Sequence, residues 1–417
     1  MTLRVLGLNW ADEVGKRFNG LSIVDELRNE DIDYKLFAGK INSSSHPSVV
    51  GKDFSEKHNR LHMQISNLES KTGFQSRLFW TTKEVFRYQE FKDADLIHIH
   101  IIHNGWFRIE EVLNIGKPIL WTIHDPWITT GHCIYPSTCS QWKENCKVCP
   151  DLERPMAVSR DRTKHEVVRK EKILLGLKAE YHVSTNWMKE LLCIRYPFLE
   201  SKIHVIPFGI DTDVFKKRTE DGIELRKKLG ISNDCKVILI RTSTDHQKNL
   251  DFAKIALKSI ASEGKFHIFT VEQPDHFQGE EFSKIPSTDF GWVLDDNKLA
   301  AIYSAADVLL MPSTDETFGM MALESMSCST PVIYRTEGAL DDVVGADSRF
   351  TFTKFDTPEI LGRILMQLHT NPNAFESESK RVALHARRNF QLAGYSKNLS
   401  KAYSNVYKNY KSSKSIS

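Results

Sequence analysis

Apolar residues in this chain come in short blocks, separated by stretches where they recur every three to four positions. The blocks at residues 3–8, 33–38, 95–102, 117–123, 180–185 and 204–207 predict strands. The stretches at 21–29, 54–68, 161–177 and 186–194 have helical spacing. The alternation restarts with strand-like runs at 236–241, 267–271, 308–311 and 331–334, and with helices from 250 and over 297–305. A last helix is predicted over 390–410 and a disordered tail over 411–417. Strands alternating with helices predict parallel sheets covered on both faces.

One of these units carries chemistry. Residues 307–333 read DVLLMPSTDETFGMMALESMSCSTPVI: a strand closed by Pro312, a polar turn, a helix and a second strand. Ligands bind such sheets beyond the carboxyl ends of the strands. Gly319 has no side chain, so a ligand can approach the backbone. The amides of Phe318, Gly319 and Met320 open the helix, where orphan donors and the dipole favour an anion. Glu316 precedes them and Glu324 follows within the helix. Carboxylates accept from vicinal hydroxyls, in charge-assisted bonds of about 1.5–3 kcal/mol each. Taken singly, Glu316 reads as a solvated loop acid and Glu324 as a surface helix residue.

Composition narrows the class. The 417 residues suggest two domains, and 41% hydrophobic with 26% charged residues is ordinary for a chain with real cores. A formal net charge of +2 excludes a global polyanion-binding signal. No leader peptide and no apolar run of membrane-spanning length is evident, so the expected compartment is the cytoplasm, where cysteines are reduced thiols or metal ligands.

The pattern Glu316–x7–Glu324, with Phe318-Gly319 after the first acid and Pro312-Ser313 closing the strand before it, resembles glycosyltransferase family 4. The resemblance implies an α/β GT-B fold: two Rossmann-like, doubly wound domains with a cleft between them and a C-terminal helix crossing back. It places an acceptor domain at 1–207, a nucleotide-sugar domain at 208–385 and the crossing helix at 386–410. It gives Glu316 the donor sugar hydroxyls, the amides of Phe318, Gly319 and Met320 the diphosphate, and Glu324 the ribose. His124, at the end of the 117–123 strand, matches a histidine near the donor sugar, facing Glu316. Arg241 and Lys248 match in kind two cations that stabilise the leaving diphosphate without a catalytic metal, although their separation is longer than usual. Gly291 and Trp292 fall on the loop that passes the base; Trp292 equally suits a core. Trp10, Lys16, Arg17 and His103 are acceptor-side candidates, His103 being one of three histidines that the 95–102 strand delivers to its end. The implied reaction is a retaining transfer from a UDP- or GDP-linked sugar to a glycan or a polyprenyl-diphosphate-linked acceptor in bacterial surface-polysaccharide assembly.

Cys133, Cys139, Cys146 and Cys149 form C–x5–C–x6–C–x2–C within a loop at 132–150. Four thiols so close fit a tetrahedral structural zinc site; disulfides and packing thiols are the competing readings. This segment also resembles a cysteine-rich subset of the same family from surface-polysaccharide pathways. Residues 52–92 carry a small excess of Lys and Arg with interleaved aromatics. They read either as an edge meeting the inner face of the cytoplasmic membrane or as helices packed on the core. Two other functions fit less of the chain: a sugar-nucleotide epimerase, and a zinc-containing nucleic-acid binder, against which the near-neutral charge speaks.

Overall fold

The computed structural model describes residues 2–12, 17–41, 46–51 and 54–415. The chain forms two compact units, one of residues 1–208 with 392–417, the other of 209–391.

The first unit is built on seven parallel strands: β1 (Leu3–Ala11), β2 (Ile32–Lys40), β3 (Val49–Val50), β4 (Leu96–Ile99), β5 (Ile119–Thr122), β6 (Glu180–Val183) and β7 (Ile203–Val205). Their order is β3-β2-β1-β4-β5-β6-β7, so the winding reverses between β1 and β4. Every residue of β4 and β5 is buried, as continuous apolar runs in a two-faced sheet require. Tyr395, Leu399, Ala402, Tyr403 and Val406 form the buried stripe of the terminal helix Leu392–Ser415. That helix continues five residues beyond the predicted end. Lys411 and Lys414 lie over the rings of Tyr407 and Tyr410, two i,i+4 contacts that extend it.

The second unit has six parallel strands: β8 (Lys236–Thr242), β9 (Phe266–Glu272), β10 (Ser287–Asp289), β11 (Val308–Met311), β12 (Val332–Arg335) and β13 (Thr351–Phe352). They run β10-β9-β8-β11-β12-β13, reversing between β8 and β11. The chain enters and leaves this unit side by side, the Ile210 amide donating to the Phe390 carbonyl at 2.7 Å. Two helices, Pro358–Thr370 and Pro372–Asn389, occupy a stretch where no element was predicted. Each opens with proline at its first position, where the missing N–H costs nothing. The second ends at Asn389, so the terminal helix starts at Leu392 rather than within 386–390.

Residues 54–92 form the helix Phe54–Thr72 and two short helices. Phe79 is buried, Phe86 packs against the core, and Phe74 lies under the guanidinium groups of Arg77 and Arg162. Leu61, Met63, Leu68 and Leu78 are exposed. Among the described residues no helix is long and apolar enough to cross a membrane.

Candidate active site

The reversal between β8 and β11 sets the loops after these strands side by side. Asn249 donates its side-chain amide to the Pro312 carbonyl, and the Thr314 amide donates to the Gln247 carbonyl at 2.8 Å. The ammonium of Lys248 and the Glu316 carboxylate meet at 2.6 Å, with side chains only 9% and 12% exposed. Arg241, Lys248, Ser313, Glu316, Gly319 and Met320 line a cavity of about 90 Å³. Arg241, from the end of β8, also pairs with Glu272 at the end of β9.

Gly319 starts the helix Met320–Ser327 at a φ of 90°, and no side chain caps that helix end. A Cβ on Gly319 would lie 2.4 Å from Leu340 Cδ2. Glycine is therefore required twice, by backbone conformation and by packing. Met320 is the first helical residue, so the helix opens one to two residues later than predicted. The Phe318 ring is buried edge-on to Phe390, which leaves only its backbone for a ligand.

Glu324 is 1% exposed and accepts a 2.8 Å hydrogen bond from Tyr303. This removes the reading of Glu324 as a surface acid. Tyr303, on the 297–305 helix, is not among the predicted site residues. Trp292 is 67% exposed, which removes its core reading, and Gly291 has a φ of 63° with open space around it. Phe318, Gly291, Trp292 and Glu324 stand outside the lining of the Lys248–Glu316 cavity.

In the first unit, strand ends again supply the polar groups. His124 follows β5, is partly exposed, and contacts His100 with Nε2 3.0 Å from Nδ1. Its ring stacks on Phe208 at 5.8 Å. Burial, reinforced by His182, pushes the His124 pKa down to about 3, so it is neutral near pH 7. His103 is 3.2 Å from Asp125 and stacks on Trp127 at 4.5 Å. Burial alone would raise the Asp125 carboxyl, but His103, the Trp127 amide and His124 hold it below the usual carboxylate range. Lys170, fully buried, donates to the carbonyls of Trp127 and Thr130 at 2.8 and 3.0 Å. Burial brings its pKa down to about 7. Trp10 packs against the core, partly buried, and Arg17 is partly exposed. Lys16 lies outside the described residues.

The expected structural zinc site at Cys133, Cys139, Cys146 and Cys149 remains a proposal, and none of the four thiols is in a disulfide. Among the described residues, no three His, Cys, Asp or Glu side chains are arranged to hold a metal. Burial raises the Cys133 thiol to about 12 and raises those of Cys146 and Cys149. Cys149 donates to the Asp151 carbonyl at 3.2 Å, and all four are free thiols.

The chain has known relatives. A family model described as Glycosyl transferases group 1 matches residues 221–388, and one described as Glycosyltransferase Family 4 matches residues 21–214. WcaC of Escherichia coli (strain K12), a glycosyl transferase assigned to colanic acid biosynthesis, is 22% identical over 319 residues, 73% of this chain and 74% of WcaC. Among solved structures, sucrose-phosphate synthase from Thermosynechococcus elongatus matches with a TM-score of 0.67 at 16% identity, covering 97% of this chain and 100% of that one. Anabaena HepE in complex with UDP-glucose matches with a TM-score of 0.64 at 14% identity, covering 97% and 100%.

Proposed function

The chain belongs to glycosyltransferase family 4 and has the GT-B fold, and on that premise we propose that it is a retaining sugar transferase using a nucleoside-diphosphate sugar. The observation that carries this reading is the Lys248–Glu316 pair in the cavity beside Gly319, at the open end of the helix Met320–Ser327. One Glu316 oxygen is held by Lys248, leaving the other to accept from a sugar hydroxyl. The helix amides, Lys248 and Arg241 stabilise the diphosphate. Glu324, oriented by Tyr303, takes the ribose, and Gly291 and Trp292 flank the base. His124 acts at the donor sugar, with Trp10, Lys16, Arg17 and His103 on the acceptor side.

The acceptor hydroxyl attacks the anomeric carbon on the face the diphosphate leaves. The carbon–oxygen bond to the β-phosphate breaks with its electron pair going to that oxygen, which takes the acceptor's proton. No cation other than Lys248 and Arg241 is needed for the charge that develops. The likeness to WcaC supports a glycan or lipid-linked acceptor in surface-polysaccharide assembly. The exposed Leu61, Met63, Leu68 and Leu78 support peripheral contact with a membrane bearing such an acceptor.

A panel of UDP- and GDP-sugars, headed by UDP-glucose, tests the donor. A ligand at a hundredfold its Kd stabilises a fold by about 2.7 kcal/mol, so the donor raises Tm where the free sugar does not. The product's anomeric configuration, read by NMR, tests retention. No response to any nucleotide sugar, or an inverted product, overturns the proposal.

A further inference from the structure

We propose that Tyr34 and His100 are positioning residues that hold His124 in its Nε2–H form, so that its unprotonated Nδ1 accepts from a sugar hydroxyl and does not bind a phosphate oxygen. The inference rests on the donor reading above for the identity of the ligand, but not for the tautomer.

One row of hydrogen bonds starts from an oxygen that can only accept. The Asn19 backbone carbonyl lies 2.5 Å from Tyr34 Oη. The phenol is buried, which pushes its pKa well above the usual value and keeps it protonated. Its single O–H is therefore spent on Asn19. Tyr34 Oη is also 3.1 Å from His100 Nε2, so in that contact the oxygen accepts and His100 Nε2 carries a hydrogen. His100 is buried and its pKa lies well below 6.5, through desolvation and the neighbouring His98, so the ring is neutral. With Nε2 protonated, Nδ1 holds a lone pair. His124 Nε2, 3.0 Å away, must donate to it. His124 is itself neutral, so its hydrogen is used there and Nδ1 is left as an acceptor.

The row is held rigidly. A Cβ at Gly7 would lie 2.0 Å from Tyr34 Oη, and one at Gly20 would lie 2.4 Å from Tyr34 Cζ. These two glycines make the room that the phenol fills. A neighbouring row obeys the same rule. The Ile206 carbonyl takes the His182 Nε2 hydrogen, His182 Nδ1 accepts from Thr122, Thr122 accepts from His98 Nε2, and His98 Nδ1 accepts from Tyr403. No ring in either row needs a second hydrogen, in keeping with four neutral histidines.

A neutral imidazole with its lone pair outward repels a phosphate oxygen, which is also an acceptor, and attracts a hydroxyl hydrogen. The test uses the full chain with 15N-labelled histidine and long-range 1H–15N correlations at pH 7, first without ligand. The expected spectrum has His124 and His100 both protonated at Nε2 only. A His124 protonated at Nδ1, or doubly protonated, overturns the inference whatever the protein binds. UDP-glucose then shifts the His124 Nδ1 resonance, and UDP alone does not. Equal shifts from both overturn the hydroxyl contact. Expected tautomers with no response to any nucleotide sugar overturn the donor reading and the sugar contact together, and leave the tautomer control standing. In Tyr34→Phe, His100 loses its fixed acceptor and the His124 signals become a mixture of tautomers. There kcat/KM for the donor falls about tenfold while inhibition by UDP is unchanged. A Tyr34→Phe protein with the parent His124 spectrum would refute the positioning role.

Discussion

Glu324 is a carboxylate that bulk water barely reaches, steadied by one phenol on the preceding helix. Such a group is costly to bury unless it is hydrogen-bonded, and in the proposed donor complex it accepts from the ribose as well. Glu324→Gln keeps the shape and removes the charge. Affinity for the nucleotide-sugar donor is expected to fall about tenfold to a hundredfold by calorimetry, in line with bonds of about 1.5–3 kcal/mol. Unchanged affinity would remove Glu324 from the site. At Gly319, alanine meets both a φ of 90° and the Leu340 methyl. Gly319→Ala is expected to cost about 1–3 kcal/mol in denaturant titration. Adding Leu340→Ala should recover the clash but not the backbone strain; full recovery would show that conformation carries no cost there.

Neither loop of the candidate site is held by its own strand alone. The loop after β8 and the loop after β11 are tied by the Asn249 and Thr314 bonds and by the mostly buried Lys248–Glu316 pair. Removing one partner of a buried pair strands the other's charge, at a cost of about 3–5 kcal/mol, whereas removing both costs less than the sum. Lys248→Met and Glu316→Gln are therefore each expected to destabilise strongly, and the double variant by less than their total. Simple additivity in a double-mutant cycle would mean that the two loops are not coupled through this pair. The helix Met320–Ser327 was visible in the sequence through its spacing and Gly319. Its late start was not, because the φ of 90° and the approach of Leu340, on another element, that make the glycine the entry point are set in the folded chain.

Across the whole molecule, buried histidines are unevenly spread. His98, His100, His124, His132 and His182 lie in the first unit and His267 and His385 in the second; burial lowers the pKa of each, to about 3 for His124 and about 4 for His182. A histidine whose folded pKa is depressed stays neutral in the fold but takes a proton in the unfolded chain below pH 6.5. Stability is thus intact above pH 6.5 and falls as the pH drops towards the folded pKa, by about 1.4 kcal/mol per pH unit for each such histidine. Lowering the pH from 6.5 to 5 is expected to reduce hydrogen-exchange protection in the core of residues 1–208 with 392–417 before that of residues 209–391. Equal losses in both would show that the histidine rows do not set acid stability.

The sequence alone carried whatever is local. Strand and helix identities came from periodicity, and the donor candidates from the spacing of Glu316, Gly319 and Glu324 and from cations at the end of one strand. The cysteine cluster shows the limit of such reasoning. Its spacing suggests zinc, but the burial that raises the Cys133, Cys146 and Cys149 thiols is not encoded in spacing. Tertiary structure also decided that Glu324 is buried, that Trp292 is not core, and which hydrogen each histidine carries. The partners that decide these points are far apart in the chain, Tyr34 from His100 by 66 positions and His98 from Tyr403 by 305. Periodicity reports which face of an element is apolar; which polar atom meets which is settled only when the strands are laid beside one another.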